Sequence, residues 1–273
     1  MKKFAVLGNP IKHSKSPFIH KEFSIETNIE LIYDFLLCPL DGFVQCVDKF
    51  RENGGLGLNI TVPFKEQAYA YATELTDRAK KAKAVNTLKF FENGMVVGDN
   101  TDGDGIVWDF KRLGWELADK DILIIGAGGA SRGILGPILE LNPKSISLIN
   151  RTFEKAKLIQ EDYPSISVGT LESTNDLDKK YDIVINATSL SLSNHVPSIS
   201  KQIFKLNTCC YDLMYTPSGE TSFLKWCVEQ GVSKDNVSDG LGMLVGQAAL
   251  SFQLWHGVLP DGKDIIAKVR ALV

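Results

Sequence analysis

A glycine-rich turn between an apolar run and an amphipathic run constrains the fold of this chain more than any other feature. Ile122–Ile125 is a continuous apolar run, a helical pattern covers Ser131–Leu141, and between them lies Gly126-Ala127-Gly128-Gly129-Ala130. A strand that ends in closely spaced glycines and leads into a helix is typical of dinucleotide-binding turns, in which the backbone approaches a pyrophosphate at the helix N-terminus. The alternative is a tight strand-to-helix turn without a ligand.

The segment that follows this turn continues the alternation of strands and helices. Ser145–Ile149, Asp182–Asn186 and Cys209–Leu213 are predicted strands, and Phe153–Glu161 is a predicted helix. Continuous apolar strands separated by helices indicate a doubly wound parallel sheet that is covered on both faces. The sequence therefore predicts an α/β protein with a Rossmann-like dinucleotide-binding domain over residues 104–239, entered through a helix at Gly105–Leu113.

The first hundred residues predict a second α/β region with a mixed sheet. An Asn93-Gly94 pair between Leu88–Phe91 and Met95–Val97 is a strong hairpin signal, which adds an antiparallel element. The other predicted elements are strands at Phe4–Leu7, Tyr33–Leu37 and Leu58–Val62 and helices at Phe18–Ile25, Phe43–Phe50 and Glu66–Ala72. Periodicity alone leaves open where two further helices, Gly242–Trp255 and Ile265–Leu272, belong.

Composition excludes several classes of function. A net charge of −3 and a pI near 5.9, with basic and acidic residues interspersed, argue against a nucleic-acid partner and favour a small-molecule substrate. No apolar run reaches the length of a membrane span, and the one in Met1–Pro10 is too short for a signal peptide. Five cysteines without a Cys-x-x-Cys pair suit a reducing cytoplasm, and four histidines without ligand spacing predict no metal site.

The end of the second strand after the glycine-rich turn bears on cofactor choice. NAD sites usually place an acidic residue there, whereas this chain has Asn150-Arg151-Thr152, with Lys155 one helical turn further on. The guanidinium of Arg151, the hydroxyl of Thr152 and the charge of Lys155 suit a 2′-phosphate, so NADP is the expected cofactor. Asn150 and Thr152 could instead serve only to cap the following helix.

Two polar motifs before the glycine-rich turn contain a candidate catalytic pair. Lys65 ends Asn59-Ile60-Thr61-Val62-Pro63-Phe64-Lys65, and Asp102 lies in Asn100-Thr101-Asp102-Gly103. Brought together beside a nicotinamide, they would supply the proton donor and the orienting carboxylate that carbonyl reduction needs, which predicts an oxidoreductase. The alternatives are that Lys65 lies in the first turn of a solvated helix and that Asp102 is the N-cap of the helix from Gly105.

Eight motifs in order along nearly the whole chain resemble the shikimate dehydrogenase family. Besides the motifs of Lys65, Asp102, the glycine-rich turn and Asn150–Thr152, they are Gly8-Asn9-Pro10 with His13-Ser14-Lys15-Ser16-Pro17, Ala84-Val85-Asn86-Thr87, Asn186-Ala187-Thr188-Ser189 and Asp239–Ala249. The resemblance implies NADPH-dependent reduction of 3-dehydroshikimate to shikimate. It also implies a substrate domain, residues 1–103, that is completed by the C-terminal helices, residues 240–273.

The resemblance also implies roles for individual residues. Lys65 would pass the proton, and Asp102 would hold Lys65 and a ring hydroxyl. Ser14, Ser16 and Tyr215 would hold the ring carboxylate, and Asn59, Thr61, Lys65, Asn86, Asp102 and Gln247 would hold the hydroxyls. The cofactor would contact Gly126, Ala127, Gly128, Gly129, Ala130, Asn150, Arg151, Thr152, Lys155, Thr188, Ser189, Leu213, Gly240 and Met243.

The sequence departs from the family pattern at two places. Leu190–Ser193 follows Ser189 where the family usually has a glycine-containing stretch, and Lys155 stands where many members carry arginine. Lysine keeps the charge but loses the bidentate geometry, so a softer preference for NADP is expected.

Two other functions compete with this interpretation. One is a quinate or dual quinate/shikimate dehydrogenase of the same superfamily, which often uses NAD, and the other is a non-catalytic metabolite sensor. The absence of an acidic residue at Asn150–Thr152 argues against the first, and the presence of Lys65 and Asp102 argues against the second. The expected assembly is a monomer or a homodimer.

Overall fold

A computed structural model describes residues 1–12, 14–175 and 179–272 of the chain. These residues form two compact units. The first unit comprises Met1–Gly105 together with Leu244–Val269, and the second comprises Ile106–Met243 together with the residues from Arg270 onward. The chain passes from one unit to the other within helices, so neither unit is one continuous segment.

The first unit is built on a six-stranded mixed sheet with the strand order β2-β1-β3-β5-β6-β4. β1 pairs in parallel with β2 and β3, whereas β5 runs antiparallel to both β3 and β6, which confirms the predicted mixed sheet. The strands are β1 Lys2–Gly8, β2 Leu31–Leu37, β3 Gly55–Ile60, β4 Glu74–Leu75, β5 Thr87–Phe90 and β6 Val96–Asp99. The helices between them are α1 Ser16–Thr27, α2 Phe43–Glu52, α3 Lys65–Tyr71 and α4 Asp77–Ala82.

β3 begins three residues before the predicted start at Leu58, because two of its first residues are glycines that obscure the strand pattern. It ends before the predicted end at Val62. A Cβ atom on Gly57 would overlap the indole of Trp255, and one on Gly55 would overlap the ring of Phe50. These glycines allow large aromatic side chains to lie directly on the strand, and the Trp255 indole donates to the carbonyl of Leu88 at 3.0 Å.

The second unit is built on a six-stranded sheet in which every pairing is parallel, with the order β12-β11-β10-β7-β8-β9. Along β7, Ile122 and Ile124 pack into one apolar cluster and Leu123 and Ile125 into another, so the sheet is buried on both faces as predicted. The strands are β7 Asp121–Ile125, β8 Ser145–Ile149, β9 Ser167–Gly169, β10 Tyr181–Asn186, β11 Phe204–Asp212 and β12 Val237–Asp239. The remaining helices are α5 Asp102–Leu113, α6 Gly129–Leu139, α7 Phe153–Asp162, α8 Ser222–Glu229, α9 Leu241–His256 and α10 Lys263–Arg270.

Several boundaries correct the sequence predictions. α5 begins at Asp102 rather than Gly105, and β11 begins at Phe204 rather than Cys209. α4, α8 and the short strands β4, β9 and β12 have no counterpart among the predicted elements. A local signal for α8 exists, since the Thr221 hydroxyl caps the helix by accepting from the amide of Leu224 at 3.3 Å. Among the helices of the described residues, none combines the length and apolarity needed to cross a membrane.

Candidate active site

Lys65 and Asp102 form an ion pair in the first unit, with the lysine Nζ 2.6 Å from the carboxylate Oδ2. Lys65 is the first residue of α3 and Asp102 is the first residue of α5. The Lys65 and Asp102 side chains are 33% and 21% exposed, so solvent reaches both groups. The alternative that Asp102 caps a helix from Gly105 is wrong, because the helix begins at Asp102 itself, where a negative charge is favoured by the helix dipole.

The side-chain amide of Asn86 holds the other oxygen of Asp102. Its Nδ2 donates to Oδ1 of Asp102 at 2.8 Å and to the hydroxyl of Thr101 at 2.9 Å, and it lies 3.5 Å from the Gln247 side-chain oxygen. Its Oδ1 accepts from the backbone amide of Thr101 at 2.9 Å and from the hydroxyl of Thr87 at 2.8 Å. The donors and acceptors are matched on both ends of the amide, so the Asn86 side chain is oriented with an N–H towards Asp102.

Asn59 points into the interior of the first unit. Asn59 is 6% exposed, and its Oδ1 accepts from the Tyr33 hydroxyl at 2.7 Å. Its Nδ2 donates to the hydroxyl of Thr87 at 3.1 Å and to the hydroxyl of Ser251 at 2.9 Å. The donor and acceptor groups of Asn59 are therefore engaged within the unit, beneath Asn86.

The predicted residues Ser14, Ser16, Thr61 and Gln247 also lie in the first unit. The Ser14 hydroxyl donates to that of Ser16 at 3.1 Å, just before and at the start of α1. Thr61 follows β3, and its backbone amide donates to the Leu7 carbonyl at 2.9 Å. Gln247 lies on α9, and its Nε2 donates to the Leu244 carbonyl at 2.8 Å. The first unit therefore contains eight of the predicted substrate-binding residues, all except Tyr215.

Tyr215 lies in the second unit, just beyond β11. Burial and, secondarily, the carboxylate of Asp239 raise its pKa. Arg270 pairs with Asp239 through two contacts of 2.6 and 2.9 Å, which neutralises this nearly buried charge. Gly240 follows directly, and a Cβ there would overlap the carbonyl of Leu213. This close approach brings together the ends of β11 and β12, where Leu213, Gly240 and Met243 were predicted to contact a cofactor.

The glycine-rich turn has the geometry of a dinucleotide-binding turn. Gly126 has a φ of +105°, and a Cβ there would come within 2.9 Å of the Thr188 methyl group. At Gly128 and Gly129, by contrast, no described part of the chain outside the turn and its own helix comes within 4 Å of a Cβ position, which leaves open space at the N-terminus of α6. That space, faced by unpaired backbone N–H groups of the first helical turn, fits a pyrophosphate.

Asn150 links this turn to the loop after β8. Its Oδ1 accepts from the amide of Ala127 at 3.2 Å, and its Nδ2 donates to the carbonyl of Thr152 at 2.8 Å. Thr152 occupies the N-cap position of α7, but its side chain makes no capping hydrogen bond. Arg151, Thr152 and Lys155 are all exposed. All three residues therefore lie at or near the start of α7, where solvent reaches their polar groups.

The loop after β10, which departs from the family pattern, is held by a buried carboxylate that sequence analysis missed. Asn186 accepts from the Thr188 hydroxyl at 2.7 Å, and the Ser191 hydroxyl donates to Asp212 at 2.6 Å. Burial raises the pKa of Asp212, and hydrogen bonds from Ser191 and Thr221 oppose that shift. Leu192 remains 72% exposed. In the described part of the chain, no group of three His, Cys, Asp or Glu residues could hold a metal ion.

Comparison with known proteins matches most of the chain to one family. Residues 6–88 match the shikimate dehydrogenase substrate binding domain, residues 110–200 match shikimate / quinate 5-dehydrogenase, and residues 240–270 match the shikimate 5'-dehydrogenase C-terminal domain. A shikimate dehydrogenase (NADP(+)) of Vibrio campbellii is 46% identical over 268 residues, which covers 98% of this chain and 96% of that protein.

Solved structures agree with this match. The crystal structure of an Ael1 enzyme from Pseudomonas putida superimposes with a TM-score of 0.91 at 38% identity, covering 98% of each chain. Shikimate 5-dehydrogenase from Thermus thermophilus, in complex with NADP(H) and shikimate, superimposes with a TM-score of 0.88 at 30% identity over 100% of both chains. The chain therefore belongs to the shikimate dehydrogenase family.

Proposed function

We propose that this chain catalyses the reversible NADPH-dependent reduction of 3-dehydroshikimate to shikimate, with Lys65 and Asp102 as its proton-transfer pair. The observation that carries the proposal is the 2.6 Å contact between the Lys65 Nζ and Asp102, whose second oxygen is held by Asn86 at 2.8 Å. This arrangement suits a residue pair that must deliver a proton repeatedly from one defined position.

The chemistry of the pair follows from its charges. NADPH, when bound, supplies the hydride that adds to the carbonyl carbon. Lys65 gives an ammonium proton to the carbonyl oxygen, which becomes the hydroxyl of the product, and the neutral amine then regains a proton from solvent because its side chain is 33% exposed. The Asp102 carboxyl group, 2.6 Å from the lysine Nζ, keeps the amine in place.

The first unit contains most of the residues that we assign to the substrate. In that unit we assign Ser14 and Ser16 to the substrate carboxylate and Asn59, Thr61, Lys65, Asn86, Asp102 and Gln247 to its hydroxyls. In the second unit, Tyr215 would add a carboxylate contact. A small ligand with several polar groups needs such a dense set of partners, because each unmatched buried group costs about 1–3 kcal/mol.

The second unit would hold the cofactor. The open space at Gly128 and Gly129 accommodates the pyrophosphate, and Arg151, Thr152 and Lys155 would bind the 2′-phosphate. We assign the remaining predicted contacts to Thr188, Ser189, Leu213, Gly240 and Met243. A cytoplasmic location suits the five free thiols, and the assembly would be a monomer or a homodimer.

A second candidate, quinate or dual-specificity dehydrogenase activity, is favoured by the match of residues 110–200 to a profile that covers shikimate and quinate enzymes. Initial rates with shikimate and with quinate, each with NADP and with NAD, separate the possibilities through the absorbance of the reduced cofactor. We expect the fastest turnover with shikimate and NADP. Comparable rates with quinate or NAD would favour the dual enzyme, and no turnover in any combination would favour a sensor.

A further inference from the structure

A buried cluster of three hydroxyl groups contacts three of the proposed substrate-binding residues, Asn59, Asn86 and Gln247. It consists of Thr87 at the start of β5, Thr101 before α5, and Ser251 on α9, and we call it the hydroxyl cluster. The residues are at most 1% exposed, and the Ser251 Oγ lies 2.7 Å from the Thr87 Oγ1 and 3.2 Å from the Thr101 Oγ1. The three hydroxyls therefore form one connected group that solvent does not reach.

The Ser251 hydroxyl lies within hydrogen-bond distance of four other polar groups. Besides the two threonines, its Oγ accepts from Asn59 Nδ2 at 2.9 Å and donates to the backbone carbonyl of Gln247 at 3.0 Å. The contacts reach residues as far as 192 positions away in the chain. Through hydrogen bonds, Ser251 therefore connects α9 to β3, to β5 and to the residue before α5.

The other two members of the hydroxyl cluster carry this connection to the site. The Thr87 hydroxyl donates to Oδ1 of Asn86 at 2.8 Å, and the Thr101 hydroxyl accepts from Nδ2 of Asn86 at 2.9 Å. The nitrogen and the oxygen of the Asn86 side-chain amide thus each form a hydrogen bond with a hydroxyl that contacts Ser251. Because Nδ2 of Asn86 also donates to Asp102, one further step reaches the carboxylate that holds Lys65.

The donor and acceptor capacity of Ser251 is used fully. A hydroxyl has one donor and two acceptor positions. The Ser251 proton can go to the Gln247 carbonyl or to the oxygen of Thr87, whose own proton is donated to Asn86, and the two acceptor positions of Ser251 can be taken by Asn59 and Thr101. Removing the Ser251 oxygen would leave these buried groups short of a partner, and the least costly response is for the amide and hydroxyl groups to rearrange.

We propose that Ser251 is a positioning residue: it fixes the orientation of Asn86 and the placement of Gln247, and through Asn86 the orientation of Asp102. This proposal rests on the proposed function, since Asn86 and Gln247 must contact the substrate for their orientation to affect turnover. Ser251 itself does not contact substrate, being fully buried.

The test compares Ser251→Ala with the unchanged chain in steady-state kinetics and in shikimate binding measured by calorimetry without cofactor. We expect kcat/KM for shikimate to fall about tenfold or more, as loss of one partner to buried polar groups predicts, while the KM for NADP changes less than about twofold. Ser251→Thr keeps the hydroxyl and should recover most of the loss.

A matched control is Ser147→Ala, which removes a buried hydroxyl of the second unit that lies 2.9 Å from that of Ser167. It should leave both KM values unchanged. If Ser251→Ala does not fold, Thr87→Val, which keeps the side-chain shape, should give the same selective loss on shikimate.

The outcomes separate the two proposals. A folded Ser251→Ala variant with shikimate kinetics equal to those of the unchanged chain, or with equal losses for shikimate and NADP, would overturn the positioning role alone. An unchanged chain that neither binds nor oxidises shikimate would overturn the proposed function and, with it, this inference.

Discussion

The Arg78 guanidinium donates to the Asp99 carboxylate through its Nε, 2.6 Å from Oδ1, and through Nη2 to Oδ2. Asp99 ends β6 and is 1% exposed, and Arg78 also pairs with Asp104 in the first turn of α5. Asp99 and Asp104 bracket Asp102 in the chain. Arg78 thus anchors the segment that carries the proposed catalytic carboxylate on both sides.

Replacing Arg78 by glutamine should therefore destabilise the chain by about 3 kcal/mol, because the buried Asp99 would lose its charged partner. Urea denaturation measures the change in unfolding free energy. Lys80→Gln on the same helix is the control, since Lys80 and Asp77 are 58% and 92% exposed. A loss for Arg78→Gln no larger than that of the control would contradict the assignment.

Lys65→Ala should lower kcat by roughly 10²–10⁴-fold while the KM for shikimate rises much less, because the removed group acts in the transition state. Steady-state rates over a range of shikimate concentrations measure both constants. Lys80→Ala, which removes an exposed lysine from the neighbouring helix α4, should change neither. An effect of Lys65→Ala that is confined to KM would assign the lysine to binding alone.

Arg151→Ala should raise the KM for NADPH about tenfold or more and leave the KM for NADH nearly unchanged, because only NADPH carries the 2′-phosphate. Rates with each cofactor at saturating substrate provide the measurement. Lys157→Ala serves as the control, since Lys157 is an exposed lysine of the same helix, α7. Equal changes for the two cofactors would mean that Arg151 does not bind the phosphate.

The buried imidazole of His20 should make the chain sensitive to acid. His20 stacks on Tyr33 with ring centroids 4.2 Å apart, and burial lowers its pKa from 6.5 to about 3. Between these two values the unfolded chain binds a proton that the folded chain excludes. The contribution of His20 to the free energy of unfolding is therefore largest above pH 6.5. This contribution falls by up to about 1.4 kcal/mol per pH unit as the pH drops towards 3.

His20→Phe keeps the aromatic stack and should flatten this dependence, as unfolding measured by urea between pH 4 and 6 would reveal. A smaller slope of the same sign should remain, because burial also lowers the pKa of His256, to about 4. An unaltered slope in His20→Phe would show that the acid sensitivity has another origin.

Sequence patterns predicted the parts of the fold that depend on neighbouring residues. The glycine-rich turn, the parallel sheet around Ile122–Ile125 and the mixed sheet of the first unit all carry local signals. α4 went unpredicted because its six residues are mostly charged and too few to establish a period, and the start of β3 because its glycines interrupt the apolar run. Such features are fixed by tertiary packing, which a local pattern does not contain.

The residues of the candidate site also divide into those that local motifs identify and those that only tertiary contacts identify. Lys65, Asp102 and Asn86 stand in dense polar motifs and were identified from them, whereas Arg78, Asp212 and Ser251 were not. The contacts of these three include residues that are 21 to 192 positions away. Asp212 could have been suspected from its position at a strand end beside Asn186. Ser251 gave no signal, because a serine in an apolar helix reveals its role only when its neighbours are known.

The return of residues 244–269 to the first unit has a consequence for biosynthesis. A ribosome that has produced the first 105 residues has made most of a site whose remaining wall, with Gln247 and Ser251, does not yet exist. Asn59 and Thr87 lack their Ser251 partner until residues 244–269 have been translated. The nascent first unit therefore emerges with its polar interior incomplete, and it can complete that interior only after residues 106–243 of the second unit have been made.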